Sequence, residues 1–216
     1  MPFNRSILGL DWGLDHPSAV LWVKVDTSAK LIYIPDEFSK AGLGIDDVCE
    51  AIRFKCDGNV PEYGVIDPSA ARRDPTTKRS IVDEYRRCFR GLGNQWDYFS
   101  IKLGDNKDRG YEITKRYFKK GMIKIHPRCK NLIYALENLM VGEDKGDDLT
   151  DCLRYACVNI HDSFQGMNEL IQGEPVYTPQ VNADGVRVFN FNDPYMFPEK
   201  GTESDDPILD MIYATH

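Results

Sequence analysis

The chain has 216 residues, of which 42% are hydrophobic, and a formal net charge of −7. This length and composition predict a globular domain with a substantial core and exclude an intrinsically disordered protein. The sequence has no apolar run of about 18 residues and opens on a short, charged, strand-like segment, which excludes a membrane-spanning helix and a secretory signal peptide. We therefore expect an intracellular protein without a membrane partner.

The first elements are three strands joined by short turns, which together indicate an antiparallel meander. These strands are Ser6–Trp12, Ser18–Val25 and Lys30–Ile34. A helix is predicted at Ile45–Cys56, where apolar residues recur at helical spacing. The apolar run Tyr63–Ile66 predicts a fourth strand, which ends before Pro68 because proline cannot donate to a strand ladder.

The rest of the chain alternates helix and strand patterns. The predicted helices are Thr77–Phe89, Asp108–Lys120, Cys129–Met140 and Asp147–Phe164, and the predicted strands are Tyr98–Leu103 and Met122–Ile125. Beyond Gly173 the sequence is rich in Pro, Asn, Asp and Gly, which predicts an extended arm with one hairpin at Gly185–Phe191. We therefore expect a folded domain at residues 1–172 and an arm and tail at residues 173–216.

The six cysteines do not form a zinc-binding pattern, since no two of them have C-x-x-C spacing. Most of them fall in apolar, helix-like stretches. We expect buried free thiols in a reducing compartment.

Aspartates stand where predicted elements begin or end. Asp11 ends the first strand and Asp67 follows the fourth, so both would lie side by side if these strands are neighbours. The last long helix opens with Asp147, Asp148 and Asp151, and residues three or four apart share one helix face. Converging carboxylates need a cation between them, and hard oxygen ligands select Mg²⁺ or Mn²⁺. The pattern favours a site for two such ions, which hydrolyses phosphodiesters without a Ser, Cys or His nucleophile.

Basic residues are concentrated in one segment of this acidic chain. Between Arg72 and Lys130 there are 17 Lys and Arg against 7 Asp and Glu. Such segregation predicts a basic face for the phosphates of double-stranded DNA, with binding that is nearly sequence-independent and strongly salt-dependent. The loop Gly104–Gly110 is expected to be mobile and to touch DNA. The candidate DNA-binding residues are Arg72, Arg73, Lys78, Arg79, Lys102, Lys107 and Arg109.

The segments ILGLDWG, YGVIDPSA and KGDDLTDCLRYA together resemble the C-terminal nuclease domain of tailed-bacteriophage large terminase subunits, over residues 6–165. The resemblance implies an α/β, ribonuclease H-like fold: a mixed sheet of three antiparallel strands plus parallel strands, flanked by helices. It implies that Asp11 bridges two metal ions, Mg²⁺ or Mn²⁺, while Asp67 holds one and Asp151 the other. Asp148 is implied as an assisting ligand, although Asp147 beside it could take that place.

The resemblance also implies a biological role. It predicts an endonuclease that cuts concatemeric viral DNA during genome packaging in the host cell cytoplasm and leaves a 3′-hydroxyl and a 5′-phosphate. The expected partners are double-stranded DNA, the packaging ATPase domain, the portal and the small terminase subunit.

One departure and two alternatives accompany this interpretation. The sequence lacks a G-x-x-x-x-G-K-[ST] motif, so we expect no ATP hydrolysis and interpret the chain as an isolated nuclease domain or a split gene product. One alternative keeps the fold and makes the chain a Holliday-junction resolvase or transposase-like nuclease. The other is a non-catalytic docking module of the packaging motor, with the arm after Gly173 as its contact.

Overall fold

The computed structural model describes residues 3–13, 16–104, 107–138 and 148–165, together with the short pairs 180–181 and 187–188. A six-stranded mixed sheet with the order β5-β4-β1-β2-β3-β6 organises the fold. Its strands are β1 (Arg5–Asp11), β2 (Ser18–Asp26), β3 (Leu31–Lys40), β4 (Tyr63–Ile66), β5 (Ser100–Leu103) and β6 (Ile123–Ile125). The first three strands are antiparallel, while β4 runs parallel to β1, β5 to β4 and β6 to β3.

Helices cover both faces of this sheet. They are α1 (Ile45–Cys56), α2 (Ile81–Phe89), α3 (Lys107–Lys119), α4 (Lys130–Asn138) and α5 (Asp148–Gln165). Residues of α1 and α2 form one apolar cluster with Leu8 and Leu10, and residues of α3, α4 and α5 form the other with Ile7. The alternation along β1 follows from the two-residue period of a strand, so the central strand is buried on both sides.

The described helices all lack the combined length and apolarity that a membrane crossing requires.

The structure confirms the predicted mixed sheet and the adjacency on which the acidic site depends. In the parallel register of β1 and β4, Ile7 lies opposite Tyr63 and Gly9 lies opposite Val65. The carboxyl ends of the first and fourth strands therefore meet at one edge of the sheet.

Two predicted boundaries were wrong for identifiable reasons. The third strand continues past Ile34 to Lys40, because a bulge in the pairing with β2 lets the strand pass Pro35, which lacks an N–H group. Helix α2 begins at Ile81 rather than Thr77, because Ser80 caps it: the Ser80 hydroxyl accepts from the Asp83 N–H, and the Asp83 carboxylate accepts from the Ser80 N–H.

The predicted Gly104–Gly110 loop is also shorter than expected, since α3 already begins at Lys107. In the arm, Gln180–Val181 pairs antiparallel with Arg187–Val188, so the hairpin begins before the predicted segment Gly185–Phe191. The remainder of the predicted arm and tail lies outside the described residues. All six cysteines are free thiols and five are buried, as predicted; Cys88 is half-buried.

Candidate metal centre

Two of the predicted acids stand at the same edge of the sheet. Asp11 is the last residue of β1, and Asp67 directly follows β4. The Asp67 Oδ1 atom accepts a hydrogen bond of 2.6 Å from the backbone N–H of Ser69. Because Pro68 and Ser69 open a short 3₁₀ turn, this contact fixes the Asp67 carboxylate as the cap of that turn.

Helix α5 brings two further acids to this edge. Asp148 and Asp151 lie in its first turns. The helix crosses β1 at Gly9, where any Cβ atom would overlap the carbonyl oxygen of Cys152. Gly9 therefore permits the close approach that places the N-terminal end of α5 beside Asp11.

Tyr155 joins the sheet acid to the helix acid. Its hydroxyl donates to Asp67 Oδ2 at 2.8 Å, and the same oxygen lies 3.3 Å from Asp151 Oδ2. The Tyr155 side chain is buried, with 2% of its surface exposed. A buried ring of this kind has few rotamers, so it holds the two carboxylates at a fixed separation.

Arg154 neutralises the helix acid from the other side. Its Nε donates to Asp151 Oδ1 at 3.0 Å, and its Nη2 lies 2.8 Å from Oδ2, so the contact is bidentate. Only 3% of the Arg154 side chain is exposed. The guanidinium carbon lies 4.4 Å from the ring centre of Tyr155 and 5.3 Å from that of Tyr111. Gly110 makes room for it, since a Cβ there would lie 2.6 Å from Arg154 Cγ.

The carboxylates differ in their electrostatic surroundings. Burial raises the pKa of Asp67, but hydrogen bonds from Ser69 and Tyr155 and the charge of Arg154 outweigh it, so the pKa lies below its ordinary value. Asp148 shows the opposite result: burial, reinforced by the charge of Asp151, raises its pKa, although His16 nearby lowers it. As the pH falls, Asp67 therefore keeps its negative charge to a lower pH than Asp148 does.

The pKa values of two buried neighbours, Cys152 and Tyr155, reflect the negative charge around them. Burial raises the pKa of the Cys152 thiol well above its ordinary value, and the charges of Asp11, Asp151 and Asp148 raise it further. The pKa of Tyr155 is raised by burial first and then by Asp151 and Asp11. All four predicted acids thus surround the start of α5.

The structure brings these acids near one another, but it does not arrange them as a complete set of metal ligands. Within residues 3–13, 16–104, 107–138 and 148–165, no three His, Cys, Asp or Glu side chains already form a cluster tight enough to hold a metal ion. It brings Asp67 and Asp151 together through Tyr155, with Asp11 and Asp148 beside them. Asp147, the alternative assistant, lies outside the described residues. The donors fit a hard divalent cation in type, since each is a carboxylate.

Sequence reasoning missed the two residues that organise the acids. Arg154 and Tyr155 lie three and four positions after Asp151, so helical spacing already placed them on its face. That spacing was the available signal.

The predicted DNA-binding residues are all exposed, and four of them follow Asp67 closely in the chain. Arg72 ends the 3₁₀ turn that Asp67 caps, and Arg73 pairs with Ser80 across a compact turn. Within that turn Lys78 takes a positive φ of 61°, and Arg79 forms an ion pair of 3.3 Å with Glu84. Lys78 and Arg79 therefore precede α2 rather than lying on it.

The other three candidates belong to a different part of the surface. The ammonium nitrogen of Lys102 lies 3.4 Å from the ring centre of Tyr63, a cation–π contact. Lys107 and Arg109 lie in the first turn of α3, within the segment Gly104–Gly110 that was predicted to be a loop.

Solved structures of phage large terminases share this architecture. The P22 large terminase nuclease domain matches with a TM-score of 0.59 at 14% identity, over 78% of this chain and 89% of that one. The SPP1 large terminase nuclease domain, solved with bound Mn, gives a TM-score of 0.52 at 20% identity, over 74% of this chain and 88% of that one. The large terminase of a thermophilic bacteriophage gives a TM-score of 0.57 at 15% identity. The match covers 74% of this chain but only 41% of the length of that terminase.

No family model matches the sequence, and no curated protein matches it. The structural likeness rests on the arrangement of strands and helices, at identities of 20% or less in these three structures. The chain has the ribonuclease H-like fold of phage large terminase nuclease domains, as its sequence predicted.

Proposed function

We propose that this chain is a divalent-metal-dependent DNA endonuclease that acts in the packaging of a phage genome in the host cytoplasm. The observation that carries the proposal is the juxtaposition of Asp67 and Asp151 at one tyrosine hydroxyl, with Asp11 and Asp148 beside them. The fold supports it, because the similar solved structures are nuclease domains of packaging proteins.

In this proposal each carboxylate has a metal-binding role that its position in the fold suggests. Asp11, the last residue of the central strand, would hold the divalent metal together with Asp67 and Asp151. Asp148 assists from the first turn of α5. Bound Mg²⁺ or Mn²⁺ would supply Lewis acidity for the phosphate and a water activated at neutral pH.

Arg154 and Tyr155 are positioning residues in this proposal. They hold Asp151 and Asp67 before any cation arrives, so the carboxylates lose little rotamer entropy on binding. Because Arg154 already balances one negative charge, the remaining acids repel one another less than four bare carboxylates would.

A plasmid-nicking assay with Mg²⁺ or Mn²⁺ tests the proposal. The parent should convert supercoiled DNA to nicked and linear forms, with ends that carry a 3′-hydroxyl and a 5′-phosphate. Asp11→Ala and Asp151→Ala should lose cutting while keeping the parent's circular dichroism spectrum. Folded variants that cut as fast as the parent would overturn the site.

Calorimetric titration with Mn²⁺ separates the enzyme from a docking module. The parent should bind the ion at millimolar concentration or below, and Asp11→Ala should bind it more weakly. If the parent binds no ion, the proposal of a metal-dependent enzyme fails. Comparing linear duplex with four-way junctions as substrates distinguishes the packaging role from junction resolution.

A further inference from the structure

Helix α2 and the edge strand β5 enclose a groove that the acidic centre does not use. The α2–β5 groove consists of two clefts that meet at Arg86, one of about 220 Å³ and one of about 260 Å³. The first is lined by Ala71, Arg73 and Leu103, among others. The second is lined by Arg90 and by the aromatic residues of the segment 89–99.

One end of this groove adjoins the acidic centre. Leu103 pairs with Ile66, the residue before Asp67, and the N–H of Gly104 donates to the Ile66 carbonyl at 2.7 Å. The other end lies at Ser100, three residues back along β5. At about 3.3 Å per strand residue, the groove leads roughly 10 Å away from Asp67.

The far end carries an aromatic wall. Phe89 and Trp96 stack with ring centres 4.7 Å apart, and Phe99 meets both rings edge-on. Tyr98 stands beside this wall with 86% of its surface exposed. An exposed ring next to arginines is the arrangement on which unpaired bases stack in proteins that bind single strands.

The charges of the groove favour a phosphate backbone. Arg73, Arg86 and Arg90 line it and are exposed. Its two acids are engaged by neighbours: Asp83 belongs to the cap of α2 and lies 3.8 Å from Arg86 Nη1, and Asp97 Oδ1 accepts from the Gly91 N–H at 2.8 Å. Each cleft is smaller than a typical small-molecule pocket, so neither could enclose a duplex.

We propose that the α2–β5 groove binds an unpaired DNA strand as it leaves the acidic centre, with phosphates on Arg86 and Arg90 and a base on Tyr98. This inference rests on the proposed nuclease function and names the form of DNA that the site handles. A stacked strand rises about 3.4 Å per nucleotide, so about three nucleotides span the groove.

Binding of tailed DNA in EDTA tests the groove without any cleavage. Fluorescence anisotropy compares a blunt duplex with duplexes that carry single-stranded tails of two, four and six nucleotides on either strand. The parent should bind a four-nucleotide tail more tightly than the blunt duplex and gain little from a longer one. Tyr98→Ala should weaken tailed binding about 5-fold or more, the lower bound for loss of one stacked base.

The arginines are tested through the salt dependence. The double variant Arg86→Ala with Arg90→Ala should lower the slope of log affinity against log salt by about 1.4, at roughly 0.7 per phosphate contact on a single strand. Arg87→Ala is the matched control, because that neighbouring side chain pairs with Glu84 and Asp46, each at 2.9 Å or less. It should leave the slope and the tail dependence unchanged.

Three results would overturn the proposal that the groove binds an unpaired strand. The parent could bind tailed and blunt duplexes equally, or folded groove variants could bind tails as tightly as the parent. The groove variants could also lose as much affinity for the blunt duplex as for the tailed one. An enzyme that cuts normally but ignores tails refutes the groove alone. Tail-dependent binding by a chain that never cuts refutes the nuclease proposal alone.

Discussion

Removing the Tyr155 hydroxyl tests how the acidic centre is held together. Tyr155→Phe keeps the buried ring and deletes the donor that reaches Asp67 Oδ2 at 2.8 Å. A hydrogen bond to a charged group contributes about 1.5–3 kcal/mol, and partial exposure of Asp67 reduces this. We expect the free energy of unfolding to fall by about 1–2 kcal/mol at pH 7.

The same substitution has a defined pH dependence. The hydroxyl helps to keep the pKa of Asp67 below its ordinary value, so Tyr155→Phe should raise that pKa. The stabilisation is present above the unfolded pKa of about 3.9 and is lost as the pH falls through the lower, folded value. The difference between parent and variant should therefore be largest near neutrality and shrink below about pH 4.

Urea denaturation of both proteins between pH 3 and pH 7 measures this difference. Tyr98→Phe is the control, because its hydroxyl belongs to a side chain that is 86% exposed. It should change the free energy of unfolding by less than about 0.5 kcal/mol. The hydroxyl does not hold Asp67 if Tyr155→Phe changes the free energy of unfolding no more than Tyr98→Phe does. The same conclusion follows if the change is equal at pH 3 and at pH 7.

The remaining predictions concern packing and thiols. Arg154→Ala leaves Asp151 without its buried ion-pair partner, so urea denaturation should show a loss of about 3–5 kcal/mol; a loss below about 1 kcal/mol would contradict the pair. Gly9→Ala forces a methyl group onto the Cys152 carbonyl and should cost about 2 kcal/mol or more, whereas an unchanged melting temperature would show that α5 does not press on β1 there. An aromatic disulfide reagent should modify Cys88 before the other thiols of the native protein, and all six cysteines after denaturation; several native thiols that react as fast as Cys88 would refute the burial.

The sequence could predict the meeting of the acids because it depends on chain topology. Asp11 and Asp67 each follow a short apolar run, and the parallel pairing of those runs puts both at one edge. Asp151 could be added because helical spacing gives its face. What could not be predicted is which hydrogen bonds each carboxylate already accepts, since this depends on how Tyr155 of α5 packs against the end of β4.

The wrong end of β3 arose where a local signal competed with tertiary structure. Pro35 reads as a strand end, yet pairing with β2 continues past it through a bulge. The start of α2 was predictable, since Ser80 and Asp83 form a capping pattern in the sequence. The approach of α3 to α5 was not, because it requires Gly110 to lie against the Arg154 side chain.

Anomalous diffraction from crystals soaked in Mn²⁺ is the most direct test of the metal centre. We expect two peaks about 4 Å apart, with Asp11 between them and oxygens of Asp67 and Asp151 at about 2.0–2.2 Å from the ions. The same soak of Asp11→Asn crystals should lose at least one peak. No peak at this edge of the sheet, or peaks that leave Asp11 without a contact, would contradict the assignment of this site as a nuclease centre.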